Sequence, residues 1–510
     1  MVPSLAFSLL LTITAAFPGI EGARSEFACD DDRPQALHSH QPGYREKDPT
    51  TVHEMDMMST ITGGPFRSMQ AIGSGTSLLP STTPASMKHW MKRDWMLMLH
   101  GEFKAGFNHQ GGPRGVNKAE SQNWLMLMAE RPIGPGRLML RGMFSAEPWT
   151  APNGGFPQLF QTGETYQGAP IVDAQHPHDL FMELAANYSV ALSERIALNV
   201  YGGPVGEPAL GPVAFMHRAS AAENPASPLG HHLQDSTHIT HGVVTAGATL
   251  WRAKIEGSVF RGAEPDENRK DIEMGRLDSW SGRIWLTPTK DWVMQASSGY
   301  LTKPDAYQLY DIGRTTASIS HNLSWEKGNW ATTVVWGRDK LVPGKDSCFG
   351  CRFDRASALV MGLSPKEPTP SPPLPLHNHR VLDKLNSYLL ESTANFLDKN
   401  YFYTRLELVD KTGLSRNNVF GRLGFAVPGE LQLQLQNPDR LPFHFLPNYA
   451  AGRVGAVTIG GVRDIWDYGL RVGIGADVTF YHVLEEVKSI YGSNPRSFHV
   501  FLRVRPGKIY

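Results

Sequence analysis

Cysteine is scarce in this sequence: its 510 residues include only Cys29, Cys348 and Cys351. Three cysteines are too few to form a disulfide scaffold, which excludes that class of small exported protein. Cys348 and Cys351 lie close together in a proline-rich stretch, where we expect a local disulfide. A zinc site that also uses His377 and His379 is the alternative.

The sequence also lacks an excess of charge of either sign, because 49 Lys and Arg residues balance 49 Asp and Glu residues. This balance predicts no nucleic-acid partner. The mean hydropathy of −0.29 is that of a soluble protein. It does not exclude a membrane barrel, since strands that alternate apolar and polar residues keep a low average hydropathy.

Long apolar runs are missing as well, apart from one near the N-terminus. No stretch downstream of it approaches about 18 consecutive apolar residues, so we expect no transmembrane helix there. Residues 1–23 have a short apolar core from Leu5 to Phe17 and a small residue, Ala23, at the end. This pattern predicts a cleaved signal peptide and export from the cytoplasm. A membrane-anchor helix is the alternative, disfavoured because Pro18 ends the run.

Glycine and proline are plentiful, with 50 and 37 residues, which favours strands and turns over helices. Residues 24–92 show no sustained period and are rich in His, Met, Ser, Pro and Gly, so we expect a flexible periplasmic arm. Residues 93–510 contain segments of roughly ten residues in which apolar and polar side chains alternate. Such segments are typical of membrane-spanning β-strands.

The gaps between these segments are alternately short and long. Short gaps include Ser193–Arg195, Pro288–Asp291, Glu326–Asn329, Asp398–Asn400 and Pro428–Glu430, and long gaps cover roughly 148–179, 204–239, 263–278, 303–312, 339–386, 437–450 and 482–497. Short turns at one end and long loops at the other are typical of outer-membrane barrels. We therefore predict an all-β fold, a transmembrane antiparallel up-and-down β-barrel of about 16–18 strands in the lipid of the bacterial outer membrane. A large secreted all-β protein is the alternative.

The polar face of these segments carries charge. In Ala253–Phe260, Lys254 and Glu256 alternate with Ile255 and Val259. A packed sandwich core could not accept charges on nearly every strand, whereas a wet or plugged lumen can. The residues expected to line a pore are Arg137, Arg141, Arg283, Arg405, Glu407, Arg471, Asp477 and Arg503. The residues expected to form interfacial girdles are Trp251, Trp285, Trp292, Trp330, Trp336 and Trp466.

Histidines are concentrated between Gly163 and Gly247, together with several aspartates. Seven of the nineteen lie there: His176, His178, His217, His231, His232, His238 and His241. Imidazole and carboxylate groups suit copper and zinc ions. We favour a hydrogen-bonded network that folds long loops into the barrel mouth, with a metal site and a catalytic site as alternatives. The candidate metal ligands in this region are His176, His178, Asp179, His217, His238 and His241.

Methionines fall on the polar face of the first three segments. The set, with its one histidine, comprises Met96, Met98, His100, Met126, Met128, Met139 and Met143. Thioethers are soft ligands that suit Cu(I) or Ag(I). The interpretation that we favour is that methionine fills irregular space. No cofactor is certain from the sequence, and a copper or zinc ion is the one to test.

Three long motifs carry a family resemblance: Gln175–Ala185 (QHPHDLFMELA), Gly202–Arg218, and Asp235–Gly247, which begins DSTHITHG. With Asn386–Thr393 and Phe402–Lys411, they resemble a family of exported bacterial outer-membrane β-barrel proteins without an assigned activity. The resemblance covers most of residues 95–411. It implies a transmembrane barrel and a loose link to metal resistance, and it supplies no catalytic residues.

Three functions fit these patterns. The first is a channel or transporter for small polar solutes or metal ions, with selectivity set by the charged lumen. The second is a barrel that sequesters soft metal ions. The third is a lipid hydrolase on the barrel wall, for which Ser220 lies near His217 and Ser236 near His238 in the sequence. We favour the first and expect no enzymatic activity. The sequence indicates no oligomeric state.

Overall fold

A computed structural model describes residues 73–152, 154–167, 169–305, 311–342, 384–414, 452–483 and 485–509. Within these ranges the strands are β1 (Ala85–Lys92), β2 (Trp95–Gln110), β3 (Asn117–Ile133), β4 (Gly136–Phe144), β5 (Phe156–Tyr166), β6 (Ala169–Gln175), β7 (Phe181–Ser193), β8 (Ile196–Gly206), β9 (Thr240–Leu250), β10 (Ala253–Phe260), β11 (Ser279–Thr289), β12 (Trp292–Leu301), β13 (Asp311–Trp325), β14 (Gly328–Val342), β15 (Lys384–Phe396), β16 (Asn400–Lys411), β17 (Gly452–Tyr468), β18 (Leu470–His482), β19 (Arg496–Pro506) and β20 (Lys508–Ile509). The α-helices there are α1 (Glu147–Thr150), α2 (His231–Gln234) and α3 (Glu485–Tyr491), and short 3-10 helices span Phe215–His217 and Ser236–His238.

Several features expected from the sequence lie outside the described residues. They are the signal peptide at 1–23, the part of the arm at 24–72, the short gap Pro428–Glu430, and the pair Cys348–Cys351 with His377 and His379. Within the described ranges, no helix is both long and apolar enough to cross a membrane.

The strands form a closed antiparallel barrel. Within the described ranges, sixteen of them pair in sequence around the wall, namely β2 to β4 and β7 to β19, and β19 pairs with β2 to close it. Short β1 pairs with the start of β2, and β20 pairs with β1 beside this seam. The predicted all-β barrel of about 16–18 strands is thus confirmed.

Side chains alternate along the wall as the sequence pattern indicates. On β10, Lys254 and Glu256 are buried in the lumen, whereas Ile255 and Val259 are 49% and 47% exposed on the outer face. A closed barrel satisfies every backbone group of the wall internally, and its apolar outer face suits lipid.

One of the expected girdle tryptophans does not lie at the membrane interface. Trp251 and Trp466 are exposed on the outside, but Trp285 is 1% exposed. Its indole Nε1–H donates to Glu256 Oε2 at 2.9 Å, and the Arg283 guanidinium lies over its ring. The prediction for Trp285 was wrong because the residue shares the inward face of β11 with Arg283, two positions earlier.

A segment between β8 and β9, residues 207–239, folds into the lumen, and we name it the luminal loop. Ala209 N donates to Ser258 Oγ on β10 at 2.7 Å. Leu229 N donates to Glu407 Oε1 on β16 at 2.5 Å. Because β10 and β16 are distant in the ring of strands, the luminal loop crosses the lumen from wall to wall.

A second segment inside the lumen consists of residues 73–84, which we name the N-terminal strap. The backbone oxygen of Gly75 accepts a hydrogen bond from Arg141 on β4. The backbone oxygen of Thr76 accepts one from Lys254 on β10 at 2.7 Å. The strap thereby satisfies inward-facing charges of the wall, as buried charges require.

The barrel consequently begins earlier in the chain than the sequence pattern indicated. Residues 73–92 were assigned to the flexible arm, but 73–84 form the strap and 85–92 form β1. The alternation of β1 is short and the strap has none, so periodicity gave no signal. The order of this region comes from its contacts with the wall, such as Thr82 Oγ1 donating to the Asn322 backbone oxygen at 2.8 Å.

An apolar cluster lies beneath the long loops, around the hairpin of β5 and β6. Phe160 of β5 is fully buried and stacks on Tyr491 of α3, with ring centroids 4.2 Å apart. The other buried members are Leu159, Leu229, Leu233, Val409, Leu414, Val454, Ala456, Val483 and Val487. The hairpin, the luminal loop and several strand ends therefore pack together at this end of the lumen.

Candidate metal centre

Three histidines meet inside the barrel, and we name them the histidine trio. Ring nitrogens of His176, His231 and His232 lie within 4.8 Å of one another. His176 follows β6, whereas His231 and His232 begin α2 in the luminal loop. A protein-bound zinc ion takes ligand nitrogens at about 2.0–2.1 Å. Small side-chain rotations would bring all three nitrogens onto one ion.

Contacts with β5 and β13 fix His232 in its position in the trio. A Cβ on Gly163 of β5 would lie 2.4 Å from two atoms of the His232 ring, so the site requires glycine there. Arg314 on β13 donates to the backbone oxygen of His232 at 2.6 Å and to Ser236 Oγ at 2.8 Å. The wall thus fixes the short helix that carries two of the three rings.

Hydrogen bonds orient two members of the trio through Nδ1. His231 Nδ1 lies 2.7 Å from Asp235 Oδ1, and His176 Nδ1 lies 3.1 Å from the Pro177 backbone oxygen. A carbonyl or carboxylate oxygen can only accept, so Nδ1 carries the proton and Nε2 keeps its lone pair. Metal-binding histidines are usually held in this way. His176 Nε2 makes no hydrogen bond, although Glu164 Oε1 lies 3.0 Å away at an unfavourable angle.

Two further histidines continue the row. His238 lies beside His231, with ring centroids 5.2 Å apart, and His178 lies beside His238 at 5.5 Å. Each is held through Nδ1, His238 by the Asp235 backbone oxygen at 2.8 Å and His178 by Glu147 Oε2 at 2.8 Å. The buried Nε2 of His238 makes no hydrogen bond. The trio therefore begins a longer row of ligand-capable nitrogens.

Two buried carboxyl groups adjoin the trio. Glu164 of β5 lies beside His176, and Glu264 Oε2 lies 3.8 Å from His232 Nδ1. Burial raises the pKa of both carboxyl groups to about 7. A buried divalent cation would stabilise their ionised forms and gain two negative charges as neighbours.

The trio is uncharged at neutral pH. Burial lowers the pKa of His176 and His232 well below the ordinary value, and it lowers the pKa of His231 as well. Neutral imidazole is the form that binds a metal ion. Without an ion, three neutral rings and two carboxyl groups with raised pKa share a buried site, a combination that suits a cation better than a packed core.

The methionines form a separate group on the walls of β2, β3 and β4. Met96, Met98, Met126, Met128, Met139 and Met143 all face inward in one buried cluster, with Met182 and Met216 added from other segments. His100 and His217 lie beside this cluster, with ring centroids 5.8 Å apart.

Two cavities lie next to each other between the trio and this cluster. The smaller, of about 50 Å³, is lined by His176 and His178, and the larger, of about 110 Å³, is lined by His217 and most of the methionines. Both cavities share walls formed by Glu102, Trp124, Met216 and Ala222. Histidine and methionine ligands therefore follow one another along the lumen.

Two candidate ligands, Asp179 and His241, lie outside the trio, the row of histidines and the methionine cluster. Asp179 Oδ1 pairs with Arg269 Nη1 at 3.3 Å. His241 Nδ1 accepts a hydrogen bond from Glu273 N at 3.0 Å, and its Nε2 lies 3.8 Å from Asp179 Oδ2. These two residues belong to a network with Arg269, and the structure does not bring them onto the trio.

The residues expected to line a pore all face the lumen, but several bind its contents. Arg283 contacts Glu207 at 3.3 Å, and Arg405 donates to the Ala226 backbone oxygen at 2.7 Å. Arg503 pairs with Glu223. Glu407 accepts a hydrogen bond from Leu229 N, and Arg141 donates one to the backbone oxygen of Gly75. Three pair with other strand residues instead: Arg137 with Glu130, Arg471 with Asp464 and Asp467, and Asp477 with Tyr403 and His499. The charged face holds the luminal segments in place.

The serines considered for a hydrolase lie inside the lumen. Ser236 Oγ accepts a hydrogen bond from Arg314, and Ser220 Oγ donates to Thr333 Oγ1 at 2.8 Å or Glu391 Oε1 at 3.1 Å. A hydrolase acting on membrane lipid would need them on the outer face of the wall. Their positions do not support the barrel-wall hydrolase.

The sequence pattern missed four residues of the site. His231 and His232 belong to the histidine-rich region, and the signal that could have identified them was Asp235, which follows them by four and three residues. Glu164 and Glu264 carried no local signal, since a hairpin and a distant loop bring them to the trio.

No protein-family model and no curated protein matches this sequence. Among solved structures, the chain is similar to OmpF of Salmonella typhi, with 8% identity and a TM-score of 0.44, over 82% of this chain and 100% of that one. It is similar to OmpT of Vibrio cholerae, with 7% identity and a TM-score of 0.41, over 82% and 99%. It is also similar to OprB of Pseudomonas putida, with 6% identity and a TM-score of 0.43, over 81% and 94%. Identities this low do not define a substrate.

Proposed function

We propose that this protein is an outer-membrane transporter that passes transition-metal ions through the lumen of its barrel, with a divalent ion bound first at the histidine trio. The observation that carries the proposal is the meeting of His176, His231 and His232 with two buried carboxyl groups inside a closed barrel. Imidazole with carboxylate suits Zn²⁺, Cu²⁺ or Ni²⁺. Ca²⁺ and Mg²⁺ prefer sites made of oxygen ligands alone.

The properties of the barrel wall support a location in the outer membrane. Its outer face is apolar, its backbone is paired around the ring, and long segments join the strands at one end only. Bacterial outer-membrane barrels combine these three properties. A cleaved signal peptide at residues 1–23 would deliver the chain to that membrane.

The filled lumen favours a transporter over an open pore for small polar solutes. The luminal loop and the strap bind the charged wall residues that would otherwise line a water-filled channel. An ion bound at the trio has further nitrogens at His238 and His178, and then the methionine-lined cavity. This order of ligand groups supports a mechanism in which the ion moves stepwise from one group to the next while the luminal loop moves.

Transport and binding are tested together on the full chain, purified without a polyhistidine tag. Proteoliposomes that enclose a zinc-sensitive dye are exposed to Zn²⁺, and uptake of a small sugar is measured in parallel. The variant is His231→Ala with His232→Ala. The control is His482→Ala, an exposed histidine on the outer face of β18. We expect the wild type to show Zn²⁺ influx without sugar influx. We expect the double variant to lose about 10- to 100-fold in Zn²⁺ affinity, the loss that is typical when a group supporting a metal site is removed.

Two outcomes would contradict the proposal. Sugar influx comparable to Zn²⁺ influx, both unaffected by the double variant, would indicate a general pore. Histidine-dependent Zn²⁺ binding with no influx would indicate a barrel that sequesters metal ions.

A further inference from the structure

The larger cavity has an unusual lining for the interior of this barrel. Elsewhere the inward face of the described wall is mostly polar or charged, as at Arg283 and Arg405. Around this cavity three successive strands, β2 to β4, contribute methionine side chains to the inward face. The methionines that line it are Met87 on β1, Met98 on β2, Met126 and Met128 on β3, Met139 on β4 and Met216 on the luminal loop.

The strand register places these sulfurs side by side. Met98 is paired with Met128 across β2 and β3, and His100 is paired with Met126 in the same register. Directly paired residues on one face have Cβ atoms about 4.5–5.5 Å apart. Flexible methionine side chains from such positions reach a common point in the space between them.

Two imidazoles and an indole complete the lining. The ring centroid of Trp124 lies 4.7 Å from that of His100 and 4.6 Å from that of His217. The buried Nε2 of His217 has no hydrogen-bond partner. Methionines that served only to fill space would leave neither an open cavity nor an unsatisfied nitrogen beside it.

The charges around the cavity favour a monovalent ion. Its two carboxylates, Glu102 and Glu223, are already paired, since Arg505 lies 3.4 Å from the first and 2.9 Å from the second. The other ligand groups, thioethers and imidazoles, are neutral, and the cation Arg141 also lines the cavity. Burying a divalent ion without an available negative charge is costly. The trio differs in this respect because Glu264, whose buried Oε2 makes no hydrogen bond, adjoins it, although Glu164 is paired with Arg269.

We propose that the methionine-lined cavity binds one soft monovalent cation, Cu(I) or Ag(I), through thioethers of Met98, Met126 and Met128 together with Nε2 of His217. Thioether and imidazole ligands suit such ions. The face of Trp124 adds a favourable cation–π contact. The site is separate from the trio, so it stands whether or not the trio transports divalent ions.

The test is an isothermal titration of the full chain in detergent with Ag⁺, a probe that needs no reductant. Cys29, Cys348 and Cys351 are replaced by serine in every sample, because thiolates would compete for silver. The variant carries Met98→Leu, Met126→Leu and Met128→Leu, swaps that conserve volume in a packed interior. The control is Met274→Leu, since Met274 is 64% exposed in the β10–β11 loop.

We expect the triple variant to lose Ag⁺ affinity by at least about tenfold and to keep wild-type Zn²⁺ affinity, as metal sites lose about 10- to 100-fold when a supporting group is removed. His231→Ala with His232→Ala should show the reverse pattern. Ag⁺ affinity unchanged in the triple variant would overturn the proposal. A second test is X-ray absorption at the silver edge, measured on the protein that keeps all its methionines. A silver ion with no sulfur neighbours would overturn the proposal, even if the triple variant failed to fold.

Discussion

His231 donates its Nδ1 proton to Asp235 Oδ1 at 2.7 Å, deep in the lumen. The other oxygen of Asp235 accepts from Arg218 at 2.7 Å, and Arg218 also pairs with Glu391 on β15. Arg218 and burial act on Asp235 in opposite senses, and the pKa of this carboxyl is lowered overall, so it is ionised at neutral pH. One aspartate therefore orients the trio and ties it to the wall.

Replacing this aspartate should weaken metal binding without removing a ligand. In Asp235→Asn the amide still offers an oxygen to His231, but the negative charge that fixes the imidazole is lost. We expect the Zn²⁺ affinity, measured by isothermal titration, to fall by about 10- to 100-fold. This is the usual loss when the hydrogen-bond partner of a metal-binding histidine is removed. Asp291→Asn, in the turn between β11 and β12, is the control. Equal affinities for Asp235→Asn and the wild type would show that the pair does not support a metal site.

A single methyl group should displace one member of the trio. Gly163 has φ +148°, and its Cβ position is 2.4 Å from the His232 ring. In Gly163→Ala we expect His232 to move away and Zn²⁺ affinity to fall while the barrel stays folded, as judged by circular dichroism. Gly134→Ala is the matched control, because Gly134 also has a positive φ, +58°, and the nearest atom to its Cβ position is 3.8 Å away. A Gly163→Ala protein with wild-type affinity would mean that His232 is not a ligand.

The wall was predictable from the sequence because one rule governs it. A period of two sends alternate side chains to lipid and lumen, so Ile255 and Glu256 could be assigned to opposite faces. Trp285 was misplaced when its chemistry was weighed above its register with Arg283. The same alternation would have placed it in the lumen.

The interior was much harder to predict because no period governs it. The strap binds the wall partly through the backbone oxygens of Gly75 and Thr76, for which any sequence would serve. The trio combines residues after β6 and in α2, Glu164 comes from β5, and Glu264 comes from the loop between β10 and β11. The inward face of Met98 and Met128, in contrast, followed from alternation, since both lie on regular strands.

Stability should depend on pH through Glu207, the first residue of the luminal loop. Burial raises the pKa of this carboxyl to about 7 from an ordinary value of 4.5, although Arg283 opposes the shift. The folded protein therefore binds a proton that the unfolded chain has released, and the stabilisation present below pH 4.5 is lost as pH rises through 7. We expect a smaller fall in unfolding temperature between pH 5 and pH 8 for Glu207→Gln than for the wild type. Identical falls by circular dichroism would contradict this assignment.

The luminal loop should open when its anchors to the wall are removed. Glu223 on the loop pairs with Arg505 at 2.9 Å, and Arg218 pairs with Glu391 on the wall at 2.5 Å. Breaking a buried ion pair costs about 3–5 kcal/mol. Since about 1.4 kcal/mol is a factor of ten, an open state should become at least about a hundredfold more populated in Glu223→Gln with Glu391→Gln.

Planar-bilayer recordings measure this change directly. The wild type should conduct little, because the loop and strap fill the lumen, whereas the double variant should show frequent openings. Asp467→Asn is the control, since it breaks a partly exposed pair with Arg471 and leaves the loop anchored. High conductance in the wild type, equal to that of the double variant, would mean that the loop leaves an open path beside it and that metal ions need no loop movement to pass.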